Sequence, residues 1–285
     1  MLISTEELAR RLGEPGLVIA DMRWDASQPD AGRDAFRTGH IPGAIYVDVD
    51  TELSDRSDLS KGRHPLPDPE QFVRTLARLG IGEGTTLVVY DDKAGSLAAR
   101  LWWMMRWVGG AEALVLDGGF AAWVAEERPV ETGPGKSPLP HPQPLAAHAN
   151  VTMVANYPEV KTQGDKMLLL DARSAERYRG EGETIDTRAG HIPGAINAPW
   201  ADNVKAEGVP HFKTPSMLRS HFESLGVRDG RRVVCSCGSG VTACHDLLAL
   251  EIAGLHGARL YPGSWSEWIA KDCPDTPLML RGETR

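Results

Sequence analysis

Long apolar segments are absent from this 285-residue sequence. A helix that crosses a membrane needs roughly 18 or more consecutive apolar residues, and no run of that length occurs. The first residues, Met1–Glu7, turn polar at once and do not have the pattern of an export signal. We therefore expect a protein without membrane partners, and we expect it in the cytoplasm.

Blocks of basic residues are absent as well. The chain has 31 lysine and arginine residues against 39 aspartate and glutamate residues, for a formal net charge of −8. A protein that follows a phosphate backbone needs a concentrated basic surface. Nucleic acid is therefore not an expected partner.

Cysteine is scarce, with four residues in the whole chain. Cys235, Cys237 and Cys244 lie close together in the sequence, whereas Cys273 stands apart. A chain of this length can bury a core without disulfides, and the uneven spacing does not form a disulfide framework. The cluster instead points to a reactive thiol or a metal site in a reducing compartment.

An internal repeat indicates two related domains, as the length also favours. Leu17–Arg23 matches Leu168–Arg173, and both are short apolar segments that end on an acidic residue and an arginine. The segment Gly39–Ile45 recurs unchanged as Gly190–Ile196, with proline and glycine in a tight turn. The two halves of the chain therefore share one fold.

The order of elements within the repeat predicts the fold class. Thr86–Tyr90 matches Arg231–Cys235 as a buried strand, and an amphipathic helix follows each, ending before Gly109 and Gly254. Alternating strands and helices predict an α/β fold with a parallel sheet flanked by helices in each half. Ligands bind beyond the carboxyl ends of the strands in such sheets.

A proline-rich segment separates the copies and is typical of an extended linker. We assign it to residues 131–149, which leaves a first domain at residues 1–130 and a second at residues 150–285.

The residues after Cys237 suit a nucleophilic sulfur. Cys237 follows a strand, and glycine, serine and glycine precede the next helix. Backbone N–H groups of this loop can converge on the sulfur, and the helix N-terminus favours the thiolate. The terminal sulfur of a persulfide is also anionic and fits the same cradle. The cradle residues are Gly238, Gly240, Val241 and Thr242.

The loop Cys237–Ala243 resembles the active-site loop of mercaptopyruvate sulfurtransferases, within the rhodanese family. The two His-Ile-Pro-Gly-Ala turns, the segment Trp265–Trp268 and the two-copy arrangement are similar to that family over nearly the whole chain. The resemblance implies two tandem rhodanese-like domains, of which only the second is catalytic. Asp92 stands at the cysteine position of the first copy, and a carboxylate cannot form a persulfide.

The resemblance also implies roles for residues outside the loop. Arg179 and Arg188 match arginines that hold the carboxylate and keto oxygen of the substrate, as a planar guanidinium can. Ser239 would hydrogen-bond the donor or the departing enolate.

The family pattern adds His40 and Asp34, from the first domain, as a relay to that serine. His191 occupies the position of His40 in the second copy, so a structural role in both copies stays open.

The activity that the resemblance implies is sulfur transfer without a metal or organic cofactor. The Cys237 thiolate attacks the sulfur of 3-mercaptopyruvate, releases pyruvate as its enolate and passes the sulfur to cyanide, a small thiol or a thioredoxin-like protein. Thiosulfate is an alternative donor. It is less favoured because Gly238 and Ser239 are neutral, where thiosulfate-specific members have basic residues.

Three other functions fit the sequence less well. A phosphatase with a Cys-x5-Arg loop needs an arginine where Ala243 stands. A zinc site built from Cys235, Cys237, Cys244 and His245 lacks the usual ligand spacing. A binding module without catalysis leaves the Cys237 loop unexplained. Cys235 and Cys244 are core residues or, alternatively, redox partners of Cys237.

Overall fold

The computed structural model describes residues 1–28, 30–110, 112–135, 143–162 and 166–272. Part of the segment that we interpret as a linker lies outside these residues, as does Cys273. No helix in the described ranges is long and apolar enough to cross a membrane.

The chain forms two compact units, and neither is continuous along the sequence. Unit 1 consists of Met1–Leu53, Pro67–Asn150 and Lys205–Phe212. Unit 2 consists of Ser54–Leu66, Val151–Val204 and Lys213–Arg285. Each unit therefore includes a short segment that the sequence places within the other repeat, which boundaries drawn along the sequence do not predict.

Unit 1 contains a five-stranded sheet in the order β1-β5-β4-β2-β3, with every pair parallel. The elements are, in chain order, β1 (Leu2–Ile3), α1 (Thr5–Arg11), β2 (Leu17–Asp21), α2 (Ala31–Thr38), β3 (Ile45–Tyr46), α3 (Pro69–Arg78), β4 (Thr86–Tyr90), α4 (Ala98–Trp107), β5 (Ala113–Leu116) and α5 (Gly119–Ala125). The central strands β2 and β4 are rich in β-branched and other apolar residues because a parallel sheet is covered on both faces.

Unit 2 contains a four-stranded sheet in the order β7-β6-β8-β9, and its pairs are also parallel. The elements are α6 (Tyr157–Lys161), β6 (Leu168–Asp171), α7 (Ala175–Arg179), β7 (Ile196–Asn197), α8 (Pro215–Ser224), β8 (Val233–Ser236), α9 (Ala243–Ile252), β9 (Arg259–Leu260) and α10 (Ser264–Asp272). The predicted fold class is confirmed for both units.

Glycine ends the helices that follow β4 and β8, as the sequence predicts. Helix α4 ends at Trp107, and Gly109 has a φ of +66°. Helix α9 ends at Ile252, and Gly254 has a φ of +71°. This left-handed conformation is one that glycine adopts without steric cost.

The repeated acidic residue and arginine form the same buried ion pair in each unit. The Arg23 guanidinium donates to Asp21 at 2.6 Å and to the Gly39 carbonyl at 2.5 Å. In unit 2, Arg173 donates to Asp171 at 2.7 Å and to the Gly190 carbonyl at 2.7 Å. The pair thus fastens the end of a central strand to the start of the His-Ile-Pro-Gly-Ala turn.

The loop after β4 holds a buried carboxylate. Asp91 Oδ1 accepts from the N–H groups of Lys93 and Gly95 at 2.8 Å, and Oδ2 accepts from those of Leu97 and Ala98 at 2.7 and 2.9 Å. Burial raises the pKa of Asp91, and these backbone donors oppose the rise. The amide donors of this loop are therefore satisfied by its own side chain.

We expect Asp91→Ala to destabilise unit 1, because it removes the acceptor for several backbone N–H groups at once. The expected loss is about 3 kcal/mol or more in the free energy of unfolding. Asp92 is exposed, so Asp92→Ala is the matched control, with an expected change within about 0.5 kcal/mol. Hydrogen exchange of the β4 amides measures the stability of unit 1 in both variants. Equal protection in the two would contradict this account of the loop.

Candidate active site

Cys237 lies directly after β8, at the carboxyl end of a central strand of unit 2. Its side chain is 2% exposed. The Gly240 N–H group donates to Cys237 Sγ at 3.1 Å, and helix α9 begins a few residues later at Ala243. The sulfur therefore lies where the sheet, the loop and a helix N-terminus meet, as the sequence predicts.

The first turn of α10 holds the loop from behind. The N–H groups of Trp265 and Ser266 donate to the carbonyls of Cys237 and Gly238 at 3.0 and 2.9 Å. The Cys237 N–H group donates to Ser264 Oγ at 3.0 Å. The two loop carbonyls consequently point toward α10, and their oxygen atoms accept hydrogen bonds from its N–H groups.

Gly240 occupies a position that a side chain would block. Its φ is +77°, and a Cβ atom there would lie 2.3 Å from the Pro262 carbonyl oxygen. Both the left-handed backbone and the close approach require glycine. The N–H group that contacts the Cys237 sulfur therefore depends on this residue type.

Two arginines face the loop at Gly238. A Cβ atom on Gly238 would lie 2.9 Å from Arg63 Nη2 and 3.5 Å from Arg177 Nη2. Arg177 pairs with Asp186 at 2.9 Å and with Glu183 at 3.1 Å, and Arg63 also pairs with Asp186. The missing side chain of Gly238 therefore allows the two guanidinium groups to lie close to the loop backbone.

The surroundings alter the pKa of Arg63. Burial lowers it to about 10, and the positive charge of Arg177 acts in the same direction. Coulombic interactions with Cys237 and Glu183 raise the pKa of Arg63 and oppose this effect. Arg63 is therefore a cation that a further anion would stabilise.

A histidine lies next to the serine of the loop. His64 Nδ1 and Ser239 Oγ are 2.7 Å apart, and both side chains are buried. The imidazole can accept the hydroxyl proton or donate to the oxygen, according to its tautomer. The pair can thus set the direction in which the hydroxyl proton points.

The two arginines predicted from the sequence lie farther out. The Arg179 side chain is exposed and pairs with Glu181 at 2.8 Å. Arg188 is exposed, and its carbonyl accepts from Trp265 Nε1 at 2.9 Å. Arg177, two residues before Arg179, faces the loop at Gly238 together with Arg63.

His40 and Asp34 belong to unit 1, whereas Ser239 belongs to unit 2. His40 stacks on Phe36 with ring centroids 4.0 Å apart, and its Nδ1 lies 2.8 Å from the Phe36 carbonyl oxygen. Asp34 is exposed on α2, 3.3 Å from Arg37. The histidine in contact with Ser239 Oγ is His64, at 2.7 Å, and the relay through His40 and Asp34 stays a prediction.

His191 supports a structural interpretation of His40. It stacks on Tyr178 with ring centroids 3.8 Å apart, and its Nδ1 lies 2.8 Å from the Tyr178 carbonyl oxygen. The two histidines therefore make equivalent contacts in the two units. Each fastens a His-Ile-Pro-Gly-Ala turn to the aromatic residue of the preceding helix.

The rest of the predicted cradle lies at the start of α9. The Val241 and Thr242 carbonyls accept from the N–H groups of Cys244 and His245 at 3.1 and 3.0 Å. Val241 is buried and Thr242 is partly buried. These residues therefore join the loop to the helix.

The neighbouring cysteines are buried. Burial raises the pKa of the Cys235 thiol well above its usual value, so this thiol stays protonated at neutral pH. Cys244 Sγ donates to the Gly240 carbonyl at 3.5 Å. Within the described residues, no three or more histidine, cysteine and acidic side chains are grouped to hold a metal ion. A redox role for either cysteine stays a prediction.

We expect Gly240→Ala to destabilise unit 2 by about 3 kcal/mol, since a left-handed alanine costs about 1 to 2 kcal/mol and the Pro262 contact adds to it. Gly226 has a φ of +93° and open space around it. Gly226→Ala should therefore cost only the backbone part, about 1 kcal/mol. Urea denaturation measures the free energy of unfolding of both variants. Equal losses of stability would contradict this account, because the loop would then have moved to accommodate the added methyl group.

Known proteins resemble the chain over nearly its whole length. The rhodanese-like domain family matches twice, at residues 4–126 and 158–271. The chain is 40% identical over 274 residues to the probable 3-mercaptopyruvate sulfurtransferase of Pseudomonas aeruginosa, covering 94% of each. It is 39% identical over 275 residues to the putative thiosulfate sulfurtransferase SseB of Mycobacterium tuberculosis, covering 94% of this chain and 93% of that protein.

A solved structure agrees with these relatives. The crystal structure of SseA from Escherichia coli, a 3-mercaptopyruvate sulfotransferase with the rhodanese fold, superposes with a TM-score of 0.80 at 33% identity. The match covers 93% of this chain and 98% of that one. Sequence and fold together establish that the chain belongs to the rhodanese family of sulfurtransferases and contains two rhodanese-like domains.

Proposed function

We propose that the chain transfers a sulfur atom from 3-mercaptopyruvate, through a persulfide on Cys237, to cyanide or a small thiol. The observation that carries the proposal is the Cys237 loop. The Cys237 sulfur contacts a backbone N–H group, and the loop carbonyls are turned toward α10. Guanidinium groups face the loop at Gly238. Such a loop stabilises an anionic sulfur and attracts an anionic donor.

The first half-reaction forms the persulfide. The Cys237 thiolate attacks the donor sulfur, the carbon–sulfur bond breaks, and its electron pair remains on the three-carbon product as an enolate. The enolate then takes up a proton to give pyruvate. Cys237 has gained one sulfur atom, whose negative charge the loop donors can stabilise.

The second half-reaction returns the thiolate. Cyanide or a thiolate attacks the outer sulfur of the persulfide, the sulfur–sulfur bond breaks, and its electron pair returns to Cys237. No metal or organic cofactor takes part in either step. A thioredoxin-like acceptor and a cytoplasmic location stay predictions.

Arg177 and the serine–histidine pair serve the first half-reaction. A guanidinium that faces Gly238 suits the planar carboxylate of a 2-oxo acid. The Ser239 hydroxyl, directed by His64 at 2.7 Å, is suited to hydrogen-bond the enolate oxygen as charge develops on it. The cradle residues Gly238, Gly240, Val241 and Thr242 keep their proposed binding role, with Arg188 as an outer contact.

Thiosulfate is a second candidate donor. Gly238 and Ser239 are neutral, which disfavours thiosulfate. The guanidinium groups of Arg63 and Arg177 lie within 2.9 and 3.5 Å of the Cβ position of Gly238, so the loop meets positive charge from other segments. A sulfonate can bind the same groups as a carboxylate, which keeps this alternative open.

We expect Cys237→Ser to abolish sulfur transfer to cyanide, because a serine hydroxyl is a poor nucleophile toward sulfur. Cys235→Ala, which changes a core cysteine two residues before Cys237, should retain most of the activity. Thiocyanate formation measures both, with 3-mercaptopyruvate and thiosulfate in parallel. Wild type should favour 3-mercaptopyruvate in kcat/KM by about tenfold or more. A preference for thiosulfate would overturn the donor assignment, and residual Cys237→Ser activity would overturn the mechanism.

The histidine assignment predicts different effects for two substitutions. His64→Gln should lower kcat with 3-mercaptopyruvate by about a hundredfold, because Ser239 loses the partner that directs its proton. His40→Gln should change kcat little and mainly lower the stability of unit 1. Steady-state kinetics and thermal denaturation separate the two effects. A larger loss of kcat in His40→Gln than in His64→Gln would contradict the assignment of His64 and support a relay through His40 and Asp34.

A further inference from the structure

Arg63 reaches the Cys237 loop from a segment outside the second repeat. The Arg63 N–H group donates to Ser266 Oγ at 3.1 Å, and the Ser266 N–H group donates to the Gly238 carbonyl at 2.9 Å. Gly62 has a φ of +109°, and a Cβ atom there would lie 2.9 Å from the Gly263 carbonyl oxygen. The first turn of α10 therefore fixes the backbone of Arg63 and the active loop together.

The Arg63 side chain is directed at the loop beside Gly238. Its Nη2 atom lies 2.9 Å from the position that a Gly238 Cβ would occupy. Only 12% of the side chain is exposed, so water screens its charge weakly. A charge this close to the residue after Cys237 acts on anything that approaches the sulfur.

Asp186 holds two guanidinium groups side by side. Its side chain is fully buried, with Oδ2 paired to Arg177 at 2.9 Å and Oδ1 paired to Arg63. Arg177 has Glu183 as a second acidic partner at 3.1 Å, whereas Asp186 is the acidic partner found for Arg63 among the described residues. Arg63 is thus the less compensated of the two cations.

The pKa of Arg63 agrees with this geometry. Burial and the charge of Arg177 lower it to about 10. An incoming anion would relieve the repulsion between the two guanidinium groups and replace the water that Arg63 has lost. The site is therefore built to gain from a negative charge on its ligand.

We propose that Arg63 binds the anionic group of the sulfur donor, a carboxylate or a sulfonate, and so determines that this site selects anionic donors. The inference rests on the proposed role of Cys237 as the sulfur-accepting nucleophile. The competing interpretation is that Arg63 only neutralises Asp186. That role would affect every reaction of Cys237 alike, whereas anion binding affects charged reagents selectively.

Alkylation of Cys237 separates the two roles without requiring sulfur transfer. The thiolate displaces iodide from neutral iodoacetamide or from anionic iodoacetate, and the two reagents differ mainly in their carboxylate. We expect Arg63→Met to lower the ratio of the iodoacetate rate to the iodoacetamide rate by about tenfold to a hundredfold, as for one lost charge-assisted hydrogen bond. Arg63→Lys should keep an intermediate ratio.

Two further variants complete the design. Arg219 is exposed on α8 and pairs with Glu223 at 3.0 Å, so Arg219→Met is the control for loss of a paired arginine and should keep the wild-type ratio. Arg63→Met combined with Asp186→Asn removes the buried carboxylate as well as its partner. It should show the same lowered ratio with the fold intact, which covers the case in which Arg63→Met alone is unstable.

Steady-state kinetics identify the anion that Arg63 serves. If the donor carboxylate binds there, Arg63→Met raises KM for 3-mercaptopyruvate by about tenfold or more and lowers kcat less. A larger effect on thiosulfate assigns the sulfonate instead. A lowered alkylation ratio in a protein that transfers no sulfur would overturn the proposed function but keep the anion site. An unchanged alkylation ratio in Arg63→Met and in the double variant with Asp186→Asn would overturn the role of Arg63.

Discussion

A buried anion at the carboxyl end of a central parallel strand requires hydrogen-bond donors that replace water, and in both units the loop between strand and helix donates backbone N–H groups to the side chain that lies there. In unit 1, four backbone N–H groups hold the carboxylate of Asp91. In unit 2, the Gly240 N–H group faces the sulfur of Cys237. The loop of the first copy thus surrounds a carboxylate, while the loop of the second copy surrounds a sulfur, which we propose gains and loses an atom.

The chemistry of unit 2 depends on groups that lie far apart in sequence. Helix α10 supplies the N–H groups that hold the loop carbonyls toward the helix. Ser266 of the same helix also accepts from the backbone N–H group of Arg63. The segment that carries Arg63 and His64 comes from the first repeat but belongs to unit 2. Unit 2 therefore contains side chains that its own repeat does not encode.

The sequence predicted the features that local patterns determine. Strand composition, the glycines that end α4 and α9, the repeated turns and the Cys237 loop follow from residue types at short spacing. Arg63 and His64 could not be predicted, because their place depends on which unit the segment Ser54–Leu66 joins. Arg177 and Arg179 are two positions apart on α7, about 200° around the helix. An assignment that is two residues off therefore selects the exposed arginine instead of the one that faces the loop.

The central claim is that Cys237 carries the transferred sulfur. The direct measurement is peptide mass analysis after incubation with 3-mercaptopyruvate in the absence of an acceptor, followed by alkylation to trap persulfides. The account predicts one added sulfur atom on the peptide that contains Cys237, and its loss when cyanide is added. An added sulfur on another cysteine, or none at all while pyruvate is released, would contradict it.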